Sequence, residues 1–147
     1  MADVDNLQRF LDAQECVYDA VLAELRAGRK SSHWIWFIFP QIQGLGHSAM
    51  AQQFGIGSLD EARTYLQHPV LCPRLRECTQ LVLDVNGHRA EKIFSYPDNL
   101  KFRSCMTLLL TAATDNTLFK AALLKYFDGK PDQVTMNVLA RNNMPRC

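Results

Sequence analysis

The chain has 147 residues, 48% of them hydrophobic and 21% charged, a globular balance that excludes a disordered, collagen-like or coiled-coil chain. Its 16 Lys+Arg and 15 Asp+Glu leave a formal charge of +1, so a broad nucleic-acid surface is not expected, though a local basic patch stays open. The length fits one domain that needs no disulfide or metal staple.

The first expected element is a helix from about Asn6 to Ala27. Leu7, Phe10, Leu11, Val17, Tyr18, Val21, Leu22 and Leu25 form its apolar stripe. Asp5 or Asn6 can cap its start and Gly28 can end it. Gln14 falls inside that stripe, where a buried amide must find partners. The aromatic run His33-Trp34-Ile35-Trp36-Phe37-Ile38-Phe39-Pro40-Gln41 follows. Its periodicity fits a buried strand or a buried helix. With no second strand-like run nearby, a short helix from Ser31 or Ser32 to before Pro40 is the better reading.

Gly44-Leu45-Gly46 marks a turn, and a short helix fits Ser48 to Phe54. Ser58 and Glu61 have capping-box spacing, each able to satisfy the other's amide, before a helix that should stop at His68. Further helices fit Pro73 to Val85, a turn or two at Arg89–Phe94, then Pro97-Asp98 to about Ala113 and Asn116 to Phe127. Leu100, Leu124 and others form the apolar sides of the last two. Pro131-Asp132 opens the final helix, with Val134, Val138 and Leu139 facing inward, and the tail over 142–147 should fray. The sum is an all-α fold, a compact single-domain bundle of about seven or eight short helices spanning 1–147. Helices this short depend on packing against one another.

Five cysteines, Cys16, Cys72, Cys78, Cys105 and Cys147, make an odd number without a C-x-x-C pair. That argues against a disulfide framework and a zinc ribbon. The acidic, polar start is unlike a secretory signal, and no apolar run approaches the ~20 residues a membrane helix needs. A cytoplasmic protein is expected. His68 and Cys72 are spaced by four, but Pro69 lies between them and no second pair completes a metal site. Neither a metal nor a cofactor is expected.

Two groups of residues can carry chemistry. The segment from Arg29 to Ser48 gathers both tryptophans with His33, His47, Gln41 and a second glutamine. Such a mixture can stack and hydrogen-bond a planar ligand such as a nucleobase, with Lys30 or Arg29 for a phosphate. Trp34, Trp36, Phe37 and Phe39 also fit plain core packing. Asp98, Lys101 and Ser104 share one face at a helix start, as a nucleophile–base pair with a carboxylate or as a capped, solvated helix end.

The run His33–Gln41 followed by Gly44-Leu45-Gly46 and Ser48 resembles the signature of the domain-of-unknown-function family numbered 1810. Glu61-Ala62, Tyr65-Leu66, His68-Pro69, Arg74-Leu75, Asp98, Lys101, Ser104, Met106-Thr107-Leu108, Gly129, Asp132 and Thr135 agree with it in order, so the resemblance covers roughly Leu7 to Leu139. It implies a mainly helical fold and no established activity. Members often carry a calpastatin label, which does not suit this chain, since such an inhibitor is a charged, repetitive chain that folds on its target. The resemblance places Gln14, His33, Trp34, Trp36, Gln41, Ser48, Lys101 and Ser104 among the family's polar and aromatic positions. Cys105 departs from it, standing where a second serine is more usual. Phe10 with Ala13-Gln14, and Glu61-Ala62, are faintly similar to the NADAR family, which looks like a set of ADP-ribose-related N-glycosidases.

Two functions follow as expectations. The first is a small-molecule-binding or enzymatic domain for a nucleotide-like ligand, with Gln14, Lys30, His33, Trp34, Trp36, Gln41 and Ser48 binding it. Asp98, Lys101 and Ser104 would carry any hydrolytic N-glycosidic chemistry. Asp98 or Glu61 would be the carboxylate that stabilises developing positive charge. The alternative is a non-catalytic adaptor that docks a protein on the same surface.

Overall fold

A computed structural model describes residues 6–142. Ten helices run through them: α1 Gln8–Glu15, α2 Tyr18–Arg26, α3 Ile35–Ile38, α4 Ala49–Phe54, α5 Leu59–Gln67, α6 Leu71–Asp84, α7 Ala90–Phe94, α8 Asp98–Ala112, α9 Thr117–Phe127 and α10 Gln133–Asn142. No strand occurs among the described residues. A single parallel bridge joins Ile42 and Ile56, so the fold is all-α, with more helices than the seven or eight expected. No helix among the described residues is long and apolar enough to cross a membrane.

One of the additional helices comes from the first apolar stripe, which is not one continuous helix. The helix stops at Cys16, and Val17 leaves helical geometry at φ −120° and ψ −9°. The break lets α1 pack on α3 while α2 packs on α6. Gln14, just before it, is buried with its amide satisfied. Its Nε2 donates to the Phe37 carbonyl at 2.7 Å, and its Oε1 accepts from Arg74 at 3.2 Å. Asp5, one expected cap, lies outside the described residues, as does the expected frayed tail from residue 143. Asn6, the other, is not the cap: Leu7 holds that position without a side-chain cap bond, and the Asn6 carbonyl accepts from the Arg9 guanidinium at 2.6 Å.

The centre of the molecule is α8. It packs against α3, α5, α7, α9 and α10, and its residues from Phe102 to Leu109 are buried apart from Arg103. Phe102 stacks on Phe94 at 4.7 Å and meets Phe39 edge-on at 4.9 Å. Such ring pairs add to the burial that holds short helices in place. Two expectations fail at the ends of this core. Val134 is 56% exposed and Leu100 41% exposed, because both sit where α8 and α10 begin, at an open surface. Leu124 is likewise outward, while Val138 and Leu139 are buried as expected.

Local chemistry sets several helix ends. Ser48 caps α4 by accepting the Ala51 N–H at 3.1 Å. Ser58 caps α5 by accepting the Glu61 N–H at 3.0 Å. Glu61 does not return the bond to Ser58. Its carboxylate takes the Gly57 N–H at 2.6 Å and pairs with Arg9 at 3.6 Å. The helix expected from Pro73 begins two residues earlier, at Leu71. His68 Nδ1 accepts from the Val70 and Leu71 amides at 3.1 and 3.2 Å, and Pro73 falls in the first turn, where its missing N–H costs nothing.

Candidate functional site

The site is assembled by the chain between α2 and α3. The expected helix start at Ser31 or Ser32 does not form, because Glu24 captures that segment. The Glu24 carboxylate accepts the Ser31 and Ser32 amides at 2.6 and 2.9 Å, the Ser32 hydroxyl at 2.7 Å and the Trp34 indole N–H at 3.0 Å. Burial alone would raise its pKa; the hydrogen bonds from Ser32, Ser31 and Trp34 outweigh that and hold it down at about 2. The segment thus fixed delivers a one-turn helix, α3, that Phe39 and Pro40 end.

On that single turn the aromatic side chains divide. Trp34, Ile35, Phe37, Ile38 and Phe39 are buried in the core. Trp36 is half-buried and forms the common wall of two open hollows. The first, about 400 Å³, lies between the Gln41–Ala51 segment and the starts of α8 and α10. Gln41, Ser48, Lys101, Ser104 and Asp132 supply its polar groups. The second, about 380 Å³, lies between Lys30–His33 and the Phe94–Asp98 turn. Trp36, Pro97 and Lys101 belong to both. Volumes of this size suit a small-molecule ligand.

The shared wall is charged as well as aromatic. Lys101 Nζ stands 4.8 Å from the Trp36 ring centroid and donates to Asp98 Oδ1 at 3.2 Å. Lys30 Nζ reaches Asp98 Oδ2 at 2.7 Å and lies 5.2 Å from the Trp34 ring. The side chains of Lys30, Asp98 and Lys101 are 6%, 18% and 26% exposed, so this trio is poorly screened. Two cations against one anion leave one positive charge. Trp36 Nε1 is enclosed and makes no hydrogen bond among the described residues, an arrangement that costs about 1–3 kcal/mol. Ser95, on the second hollow's wall, holds φ +63° and ψ 156°, a backbone region normally left to glycine.

The residues singled out in the sequence therefore separate. Trp36, Gln41, Ser48, Lys101 and Ser104 meet at the first hollow, and Lys30, His33, Asp98 and Lys101 at the second. Gln14 and Trp34 line neither. Both are core groups whose polar atoms are already paired, to Phe37 and Arg74 and to Glu24 respectively. Glu61 is likewise engaged by Gly57 and Arg9, away from both hollows. His68 caps α6 through Nδ1. No group of three or more His, Cys, Asp or Glu that could hold a metal ion occurs among the described residues.

The family described as "Protein of unknown function (DUF1810)" matches residues 4–139. This chain belongs to it. A solved crystal structure, that of the conserved hypothetical protein Rv1873 from Mycobacterium tuberculosis, is similar at 52% identity, with a TM-score of 0.93 over 94% of this chain and 99% of that one. Comparison with curated proteins finds no match.

In this DUF1810 chain His47, one of the polar groups of the Arg29–Ser48 segment, lines the first hollow. One polar member of the wall has no signal in the sequence as a site residue. Asp132 was read only as a helix start, yet it lines the first hollow while capping α10. Its pairing with Ser104 at 3.3 Å joins residues 28 positions apart. Spacing along the chain carries no sign of that contact. Pro97 and Leu100 complete the apolar floor, and their neighbours on α8 were the only cue to them.

Proposed function

We propose that the two hollows are one binding site for a nucleotide-like small molecule. The observation that carries this reading is the pairing of Trp36 with Lys101 on the wall the hollows share. A heterocycle packs against the apolar side of the first hollow, and anionic oxygens meet Lys101 and Lys30 at the second. Gln41, Ser48 and His33 supply hydrogen bonds that fix orientation. A small shift of Trp36 on binding gives its stranded N–H an acceptor and relieves the cost it carries in the free protein.

A catalytic form of this reading is cleavage of an N-glycosidic bond, with Asp98 facing the developing positive charge. Asp98 is held in place by two lysines, Lys30 at 2.7 Å and Lys101 at 3.2 Å. Fluorimetric melting of the full chain with millimolar ADP-ribose, NAD or AMP tests the binding claim. Saturation near 100 times Kd adds about 2.7 kcal/mol, a Tm rise of ~8–10 °C for a chain of this size. Lys101→Ala should abolish the rise. No shift with any of the three would overturn the proposal, and product analysis of the same mixtures tests the cleavage.

One observation favours a docking surface instead. Tyr96, Leu100 and Val134 are 77%, 41% and 56% exposed around the hollows. Against it, Trp34 is fully buried and Trp36 half so, which leaves no wide indole face for a protein partner. Lys101→Ala separates the two: it should abolish nucleotide binding and leave docking on the apolar rim of Tyr96, Leu100 and Val134 in place.

A further inference from the structure

We propose that Asp132 and Ser104 form a subsite that reads the vicinal hydroxyls of a ribose, so that the cleft takes ribonucleoside phosphates in one fixed orientation. This rests on the nucleotide reading above and extends it to the sugar.

Asp132 is tightly held. Arg103 pins the preceding loop, donating to the Lys130 and Pro131 carbonyls at 2.9 and 3.2 Å. The Asp132 amide donates to Thr107 Oγ1 at 2.8 Å. Asp132 Oδ2 then accepts the Thr135 amide at 2.9 Å and the Thr135 hydroxyl at 2.6 Å, with Ser104 Oγ 3.3 Å away. Capping α10 occupies that one oxygen completely. Oδ1 takes part in no hydrogen bond among the described residues, although Asp132 lines the first hollow.

Ser104 adds a second acceptor. It has one proton, and the Leu100 carbonyl claims it at 3.0 Å, as serines inside helices commonly arrange. Its lone pairs remain. The wall therefore offers two adjoining acceptors, Asp132 Oδ1 and Ser104 Oγ, and no donor between them. A vicinal diol presents two donors side by side and matches this pattern. A phosphate presents only acceptors, and the Asp132 charge repels it. Phosphate is favoured instead towards the second hollow, one turn of α8 before Ser104, where Lys30 and Lys101 exceed Asp98 by one charge. Polarity thus runs along the cleft from acceptor to cation, and a ribonucleotide carries the complementary order from diol to phosphate.

The plain rival is that Asp132 is a helix cap and nothing more. Serine caps as well as aspartate does, so Asp132→Ser keeps the cap and removes the free oxygen. Asp132→Asn keeps it too and places an amide donor there. Calorimetry with AMP, GMP, CMP and UMP, each against its 2′,3′-dideoxy counterpart, measures the subsite. For the wild-type chain the dideoxy forms should bind about 10–100-fold more weakly, as expected for losing hydrogen bonds to a charged acceptor. In Asp132→Ser and Asp132→Asn the ribo and dideoxy forms should converge while Tm stays near wild type. Equal binding of the two forms by the wild-type chain overturns this inference and leaves the nucleotide reading standing. If none of the eight compounds binds, both fall. The wild-type comparison needs no variant to fold.

Discussion

Glu24 is the residue on which the second hollow's shape depends, and its removal has a calculable effect. Glu24→Ala deletes the acceptor of four hydrogen bonds. Three of the donors belong to Ser31 and Ser32, which are exposed and can turn to water. The fourth is the indole N–H of Trp34, a residue only 1% exposed, and it is left without a partner. Stranding it costs about 1–3 kcal/mol. Loss of the charged acceptor for the loop adds roughly 1 kcal/mol, so a total near 3 kcal/mol lowers Tm by ~9–12 °C at this chain length. Glu24→Gln keeps one oxygen for the three N–H donors and should cost only about 1 kcal/mol. The pH dependence has a definite sign. The pKa falls from an ordinary 4.5 in the unfolded chain to about 2 in the folded one. Its contribution is therefore complete above pH 4.5 and disappears as pH falls towards 2. The full difference is worth about 3 kcal/mol, and solvent screening of this partly exposed carboxylate reduces it to ~1–1.5 kcal/mol. Urea unfolding at pH 7, 4.5 and 3 on wild type and both variants is the assay. Wild type should lose stability across that range faster than Glu24→Gln. Parallel pH profiles, or an alanine variant as stable as the glutamine one, would refute the assigned network.

Other consequences are open to simpler measurements. Lys30→Met leaves Asp98 Oδ2 without its 2.7 Å partner in a poorly screened site; a loss of about 1–3 kcal/mol is expected in urea titrations, with part of it recovered in the Lys30→Met, Asp98→Asn double variant. Gly55→Ala should cost about 2–3 kcal/mol, because a Cβ there would lie 2.9 Å from Gln43 Cβ and 3.0 Å from the Ala51 carbonyl, beside the Ile42–Ile56 bridge; Gly87→Ala, with open space around it, should cost less and only through its positive φ. Cys78 and Cys105 should resist brief alkylation at pH 8 while Cys16 reacts, as peptide mapping by mass can show. Burial pushes the Cys78 thiol up to about 12 and raises that of Cys105 well above its usual value, so neither supplies thiolate, whereas Cys16 is exposed.

Much of the helical layout was readable because stops and caps act locally. Ser48, Ser58 and Pro97-Asp98 announce their helices within a few residues. What escaped is what the chain arranges across distance. The break at Cys16–Val17 exists because α1 and α2 serve different partners, and no propensity records that. Glu24 looked like an ordinary member of the first helix, yet it decides where α3 begins by seizing amides seven and eight residues on. Gln14 signalled a need for hydrogen bonds without naming Phe37 or Arg74. Asp132 was legible as a cap, and only its contact with Ser104 brings it to the cleft wall.

The aromatic run raised a choice between core and site that the fold answers residue by residue. One helical turn has room for one outward side chain among four, and Trp36 takes it, while Phe37 packs on Phe54 of α4, Ile38 is buried and Trp34 plugs the space under Lys30. Gln41 re-emerges only after Pro40 has ended the turn. An alanine scan read two ways follows from this. Phe37→Ala and Phe39→Ala should each cost about 3–5 kcal/mol, and their effect on ligand affinity should track lost folded protein. Trp36→Ala should cost less than they do, since lost packing is partly offset by deleting a stranded N–H, and it should weaken ligand binding far more. Gln41→Ala should touch affinity alone. If Tm and affinity losses fall together on the same positions throughout, the cleft is merely the outer skin of the core, and Trp36 faces it for packing rather than for recognition.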